Sequence, residues 1–513
     1  MNDQLKDQLI LAIDQGTTGT TVLLLDEHMQ IQGRGYCEFP QSYPAPGLVE
    51  HDPEDIWGSV LTAFAKARAQ APANPIAAIG VTNQRETVVL WDRTTGRAVA
   101  PAIVWQDRRT AGRCQAMREA GHEPLFQRTT GLLLDSYFSG TKIAWMLENL
   151  PGLRQRALAG DIAFGTIDSF LVWRLSGGKS HITDVTNASR TLLLDLHRLD
   201  WSPELCQLLD VPLGLLPRVC PSSGSLATTL GMHAIAGGLP DGTPITGMAG
   251  DQQAALFGQG CFARGEAKCT FGTGSFLLMN VGDQPVLSQR RLLGTVAWQT
   301  ASGPCYALEG SAFVSGALVQ WLRDGLGLIK TAADIEPLAA SVPDTGGVTI
   351  VPALAGLGAP HWRPEARGII CGISRGTTAA HIARAALEAM ALQNVDLALA
   401  MQLDASHPIT SLRVDGGASA NNLLMQMQAD LLGAIIVRPA MVESTALGAG
   451  RLAALGLGLG LGLYKDPGLQ PELQPKLQPE LQPKLKESTF RPRLDAPERE
   501  RTLSRWREAL TKT

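Results

Sequence analysis

The sequence predicts an α/β protein built from two similar lobes, and three observations carry that expectation. An apolar run, a Gly- and hydroxyl-rich turn and a second apolar run occur together near residue 14 and again near residue 273, about half a chain apart. Between and after them, apolar residues recur at helical rather than strand spacing. The chain has 513 residues, 45% of them hydrophobic. That is enough for about two to four domains with sizeable cores.

The first hairpin runs from Leu9–Ile13 through the turn DQGTTGTT (Asp14 to Thr21) into Val22–Leu25. A helix is predicted next. Asp52 stands at the cap, Pro53 at the first helical position, and Glu54 and Asp55 precede the apolar Ile56, Trp57 and Val60. The second hairpin is AKCTFGTGSFLLMN, Ala267 to Asn280, with Gly272-Thr273-Gly274 at its turn. His381 to Leu399 is apolar at helical spacing through Ile382, Leu387, Met390 and Val395. A third apolar run with a Gly-rich turn spans Leu412 to Gly433: a strand, a Gly-Gly turn and an amphipathic helix. Beyond it, LQPELQPKLQPELQPKLK (Leu469 to Lys486) places Pro at every fourth position, which forbids a continuous helix and predicts an extended, exposed segment. The tail from Arg491 to Thr513 has Trp506 and Leu510 at helical spacing and is expected to dock as a last helix.

Composition excludes several classes of function. With 44 basic and 48 acidic side chains the formal charge is −4, so no nucleic-acid partner is expected. Eight scattered cysteines without a C-x-x-C pair argue against a disulfide scaffold or structural zinc and for a reducing compartment. The apolar stretch LAALGLGLGLGLY after Arg451 is shorter than the roughly 20 residues that span a bilayer, and alternate residues in it are Gly. A soluble cytoplasmic protein with no membrane insertion is the expectation.

Three polar constellations interrupt this apolar framework. Asp14 ends a buried-type strand and is followed by Gly16-Thr17-Thr18-Gly19; it either closes an ordinary Asx turn or holds a magnesium ion while the turn surrounds phosphate oxygens. Gly272-Thr273-Gly274 strengthens the second reading, because a polyphosphate could be clasped from both lobes. Neither a P-loop nor a dinucleotide-binding glycine motif is present. Asp251 lies between the strand-like ITGMAG and the helix-forming Ala254-Ala255-Leu256-Phe257. It is either the helix cap or a general base taking a proton from a substrate hydroxyl during phosphoryl transfer. Thr82-Asn83-Gln84-Arg85-Glu86-Thr87 is wedged between Ala77–Val81 and Val88–Leu90. The Arg85–Glu86 pair is either a solvated ion pair on a turn or a donor–acceptor pair for the hydroxyls of a polyol. Trp105, Tyr137 and Phe276 are either core or a wall over the carbon skeleton of such a substrate. Together these residues predict a two-lobed phosphotransferase acting on a small hydroxylated molecule, without identifying that molecule.

Long segments between about Ile10 and Ala454 resemble the FGGY carbohydrate kinases. They include DQGTT, AAIGVTNQRET, AIVWQDRRT, TDVTNASRT, GDQQAALFGQ, FGTGSF, YALEGSAFVSGA, GLGAPHWRPEARG, DGGASANN and ESTALGAG. YFSGTKIAW (Tyr137 to Trp145) and Gly372 to Ala391 fit the two signature regions of that family. The resemblance implies a duplicated actin-like, ribonuclease-H-like ATPase fold with the active site in the cleft between two lobes. With it the chain is expected to divide into 1–257 (N-terminal kinase lobe) and 258–463 (C-terminal kinase lobe), followed by 464–488 (exposed Pro-rich repeat) and 489–513 (tail), which are read from the residues and not from the resemblance. It also implies ATP-dependent phosphorylation of glycerol to sn-glycerol 3-phosphate, with Mg2+, in a homo-oligomer. By the same resemblance Arg85, Glu86, Tyr137, Asp251 and Gln252 would hold glycerol hydroxyls, and Trp105 and Phe276 would pack on its carbons. Asp251 would be the base and Asp14 would face the metal. Thr17, Thr18, Gly19 and Thr273 would line the phosphates; Gly316, Gln320, Gly417 and Asn421 would bound the adenosine end. Members acting on glycerol commonly continue DQGTT with Ser-Ser-Arg, whereas this chain has Gly19-Thr20-Thr21, which removes a cation near the phosphates. Kinases for another short polyol or a ketose, and an actin-like chaperone or filament ATPase, are the alternative readings.

Overall fold

The computed structural model describes residues 7–233, 239–363, 365–440, 443–459 and 487–513. Six strands make the first sheet: β1 (Leu9–Gln15), β2 (Gly19–Leu25), β3 (Ile31–Glu38), β4 (Ile76–Asn83), β5 (Ser223–Thr228) and β6 (Pro244–Gly250), in the order β5-β6-β4-β1-β2-β3. Seven make the second: β7 (Ala267–Phe271), β8 (Ser275–Gly282), β9 (Leu293–Thr300), β10 (Gly303–Ala312), β11 (Ser411–Asp415), β12 (Ile435–Pro439) and β13 (Glu487–Phe490). Their order is β9-β10-β8-β7-β11-β12-β13.

The duplication is visible in the pairing. β1 and β2 form an antiparallel hairpin, β4 runs parallel to β1, β6 parallel to β4, and β5 antiparallel to β6. In the second sheet β7 and β8 form the hairpin, β11 runs parallel to β7, β12 parallel to β11, and β13 antiparallel to β12. The chain therefore folds as two copies of one α/β plan, the actin-like, ribonuclease-H-like architecture.

The sequence of β1 shows why the central strands are nearly all apolar. Successive side chains of a strand point to opposite faces, and here both faces are covered. Leu9, Leu11 and Ile13 join a core with Ile56, Trp57 and Val60 of the helix Pro53–Arg68. Ile10 and Ala12 join another with Ala446, Leu447 and Ala453 of the helix Ser444–Gly456. That second helix belongs to the later part of the chain yet packs on the first sheet. Its approach is close enough that a Cβ at Gly80 would lie 2.1 Å from the Ala449 carbonyl oxygen.

The predicted helix at Pro53 forms as expected, with Asp52 Oδ1 accepting from the Glu54 amide at 2.8 Å. The helix predicted over 381–399 is longer, Ala379–Ala405, because a Thr378–His381 capping box starts it two residues earlier and Ser406 ends it in a left-handed conformation. The third turn follows β11 and leads into the helix Asn422–Leu432, ended by Gly433. The tail docks as Ala496–Leu510, with Trp506 buried and its indole N–H donating to Asp396 at 2.7 Å. Most of the Pro-rich repeat, through residue 486, lies outside the described residues; Glu487 and Ser488 begin the edge strand β13. Among the described residues no helix is long and apolar enough to cross a membrane.

Candidate active site

In an open α/β sheet, ligands bind beyond the carboxyl ends of parallel strands. β1, β4 and β6 are parallel and end in register, with Gln15 opposite Asn83 and Asn83 opposite Gly250. Asp14, the polar run from Thr82 and Asp251 are thus delivered to one edge of the sheet. The second sheet does the same: Thr270 pairs with Asp415, so the turns 272–274 and 416–421 emerge side by side. The polar run cannot continue as a strand, because Glu86 adopts φ 61°, in the left-handed region that is strained for a residue with a Cβ. Its backbone carbonyl accepts from the Ser139 hydroxyl at 3.0 Å.

Arg85 and Glu86 are 2% and 1% exposed, which rules out a solvated surface ion pair. The guanidinium of Arg85 donates through Nη1 to Glu309 Oε2 at 2.5 Å and to Gln253 Oε1 at 3.2 Å. Through Nη2 it reaches Glu309 Oε1 at 3.1 Å and the Tyr137 hydroxyl at 3.3 Å. Its Nε lies 3.2 Å from Asp251 Oδ1 and 3.8 Å from Glu86 Oε1. Arg190 completes the cluster, donating from Nε to Glu86 Oε1 at 2.7 Å and from Nη2 to Glu309 Oε1 at 2.9 Å. Burial pushes the Glu309 carboxyl up, but Arg190 and Arg85 outweigh it and hold it down at about 2. Burial dominates at Glu86, whose carboxyl is raised despite the two arginines.

Asp251 is not the helix cap. Gly250 holds that position, and Asp251 is the first residue of the helix Asp251–Gly258, its Oδ1 accepting from the Gln252 amide at 2.7 Å. Its side chain remains 29% exposed while Arg85 beside it is buried. The amide oxygen of Gln252 is engaged by the ammonium of Lys268, which also donates to Thr270 Oγ1 at 2.9 Å. Asp14 carries a carboxyl pushed well above the ordinary value by burial and then by the charges of Asp251 and Glu443. A cation would relieve that accumulation of negative charge. Among the described residues no three His, Cys, Asp or Glu side chains form a metal cage. That donor set suits an ion held by one or two carboxylates and substrate phosphates, the usual arrangement for Mg2+.

Trp105 links the first predicted turn to the second lobe. Its indole N–H donates to Thr17 Oγ1 at 3.0 Å, and its ring stands edge-on to Tyr137 at 5.6 Å and to Phe276, on β8 of the second lobe, at 6.4 Å. Gly16 donates to the Gly19 carbonyl at 2.9 Å and closes the first turn, leaving Thr18 exposed. In the second lobe the helix Gly316–Asp324 is seated on the second turn. The amides of Ser315 and Ala317 donate to the Thr273 carbonyl at 2.8 and 3.1 Å, and that of Gly316 to Gly272 at 2.9 Å. Thr273, Gln320 and Gly417 are exposed, and Asn421 caps the helix Asn422–Leu432 by accepting from the Leu424 amide at 2.8 Å. Arg85, Glu86, Tyr137, Asp251, Trp105 and Phe276 thus form one connected group, to which Thr17 is tied through Trp105, and Thr273 and Gly316 meet at the 272–274 turn.

Four participants were not read from the sequence: Arg190, Gln253, Lys268 and Glu309. Glu309 carried a usable signal, since it is the lone charge in the otherwise uncharged run from Ala301 to Leu322.

The model of the FGGY family of carbohydrate kinases, N-terminal domain, matches residues 9–258, and that of the C-terminal domain matches residues 267–457. The chain belongs to the FGGY family of carbohydrate kinases. A glycerol kinase of Alkalilimnicola ehrlichii is 57% identical over 453 residues, covering 88% of this chain and 90% of that one. A glycerol kinase of Aromatoleum aromaticum is 55% identical over 503 residues, covering 98% of both. Among solved structures, Plasmodium falciparum glycerol kinase with ADP superposes with a TM-score of 0.89 at 33% identity, covering 99% of this chain and 98% of that one. The architecture of this FGGY kinase, with Arg85 and Arg190 of the first lobe paired to Glu309 of the second, is therefore that of a relative solved with ADP.

Proposed function

We propose that this FGGY kinase transfers the γ-phosphoryl group of ATP to glycerol, giving sn-glycerol 3-phosphate and ADP. The observation that carries the reading is the convergence of Arg85, Glu86, Tyr137 and Asp251 within one cluster of ion pairs and hydrogen bonds, walled by Trp105 and Phe276. Full-length relatives named glycerol kinase at more than half identity support the choice of substrate.

In this reading Arg85 donates to, and Glu86 accepts from, adjacent hydroxyls of glycerol, while Trp105 and Phe276 cover its carbons and exclude water. Asp251 accepts the proton of the attacking hydroxyl as its oxygen bonds to the γ-phosphorus and the bond to the ADP oxygen breaks. Gln252 completes the hydroxyl-binding set, oriented by Lys268. Thr17, Thr18 and Gly19 from one lobe and Thr273 from the other take the phosphates. Gly316, Gln320, Gly417 and Asn421 bound the adenosine end. Asp14 would hold Mg2+, which when bound neutralises phosphate charge. A cytoplasmic location, expected from the scattered cysteines and short apolar stretches, and a homo-oligomeric assembly, expected from the family resemblance, belong to the same reading.

The test is an ADP-release assay of the purified protein with magnesium-ATP against glycerol, other short polyols and ketopentoses. Glycerol is expected to give a kcat/KM at least about 10-fold above every other substrate. A ketose exceeding glycerol would overturn the assignment.

A further inference from the structure

The charges beneath the proposed glycerol site close into a ring that spans both lobes. Arg85 is paired with Glu309, Glu309 with Arg190, Arg190 with Glu86, and Glu86 with Arg85, at 2.5, 2.9, 2.7 and 3.8 Å. All four side chains are at most 2% exposed. Three of the residues belong to the first lobe; Glu309 alone comes from the second, on β10 beside β8. Leu278 of β8 is its direct cross-strand partner, two residues from Phe276 of the proposed aromatic wall.

The geometry of the ring decides where Arg85 can point. A guanidinium has an end, formed by Nη1 and Nη2, and a side edge that includes Nε. Glu309 occupies the end bidentately, and a fork-to-fork pair of this kind fixes the plane of the group as well as its position. The Nε edge is thereby turned towards Asp251 and Glu86. Glu86 is oriented in turn by Arg190, whose guanidinium lies 5.6 Å from the Tyr137 ring centre and 5.2 Å from that of Phe138. Four buried charges are a poor means of stabilising a core, since apolar residues of equal volume usually do as well or better. Their retention here follows if two of them must be aimed at a ligand.

We propose that Glu309 and Arg190 are positioning residues for polyol recognition: Glu309, reaching across from the second lobe, sets the plane of Arg85, and Arg190 sets the carboxylate of Glu86. This rests on the glycerol-kinase reading above. The ring is neutral with both acids ionised, so an isosteric amide at Glu309 presents an N–H group to one arginine and leaves a net positive charge. Lysine at Arg190 keeps the charge but loses the fork that contacts both acids.

The test compares the wild type, Glu309→Gln and Arg190→Lys by steady-state kinetics with glycerol and ATP varied separately, each variant first checked for native circular dichroism. Wild-type protein without glycerol-dependent ADP release would reject the glycerol-kinase reading itself. With an active wild type, the glycerol KM is expected to rise about 10-fold or more in each variant while the ATP KM stays within about 2-fold. A glycerol KM within about 2-fold of wild type in either folded variant would overturn the proposal. Equal rises in both KM values would also overturn it, because a general loss of cleft structure does not discriminate between substrates. If one variant does not fold, the other alone decides by the same criteria.

Discussion

Arg85 Nε and Asp251 Oδ1 are 3.2 Å apart, one from the loop after β4 and the other from the first turn of the helix after β6. The contact exists because β4 and β6 are adjacent and parallel, so two segments far apart in sequence leave the sheet at the same edge. It joins a buried cation to a carboxylate that still reaches solvent, which is what a base facing an incoming hydroxyl needs.

Glu86→Gln removes the anion that Arg190 and Arg85 share, while the left-handed backbone at this position is kept. The glycerol KM is expected to rise about 10-fold or more and the ATP KM by less than about 2-fold. Initial rates with each substrate varied check this, and the opposite ordering would move Glu86 to the nucleotide side.

Gly316→Ala places a methyl group 2.7 Å from the Gly272 carbonyl oxygen, so the 272–274 turn must shift. A displacement of that size at a turn proposed to line the phosphates is expected to raise the ATP KM by about 3- to 10-fold and leave the glycerol KM nearly unchanged. The same two-substrate kinetics measure it.

Thr21, where the family resemblance leads one to expect arginine, pairs directly with Asp14 across the β1–β2 hairpin. Thr21→Arg places a cation at the edge of the turn proposed to hold the phosphates. Calorimetric titration with ADP is expected to show binding tighter by about 10-fold, a gain of about 1.4 kcal/mol; an unchanged titration contradicts the placement of this turn at the phosphates.

Asp168 and Asp184 form a buried acid pair behind the site. Asp168 accepts from the Thr183 hydroxyl and the Asp184 amide, and Asp184 accepts from Thr186, whose hydroxyl receives the Gly250 amide at 2.8 Å. Burial and then the charge of Asp184 raise the Asp168 carboxyl to about 7. The folded state therefore binds a proton that the unfolded chain releases near pH 4, and this group's contribution to stability declines as pH rises from about 4 to about 7. Asp168→Asn lacks that proton. Its stability relative to wild type, from urea unfolding at pH 5 and pH 8, is expected to improve at the higher pH; a constant difference would place the titration elsewhere.

Much of this site was legible in the sequence because its residues interrupt apolar strands. The DQGTT and FGTGS turns, the NQRE run and the GDQQ junction each break a buried run with polar groups, and parallel strand order then gathers them. The helix Pro53–Arg68 was legible through its cap and proline. Long-range choices were not. Nothing local indicates that Ser444–Gly456 packs on the first sheet, or that Gly250 rather than Asp251 caps its helix. Glu309 and Arg190 stand in segments whose local pattern gives no partner, and only the meeting of the two lobes supplies one.

The central claim is that Asp251 takes the proton from the glycerol hydroxyl attacking ATP, and single-turnover phosphorylation of glycerol by Asp251→Asn tests it most directly. With glycerol and magnesium-ATP saturating, the rate of the chemical step is expected to fall at least about 100-fold, since the amide cannot accept the proton. A rate within about 3-fold of wild type would contradict the account, because a base that contributes to the step cannot be removed at so small a cost.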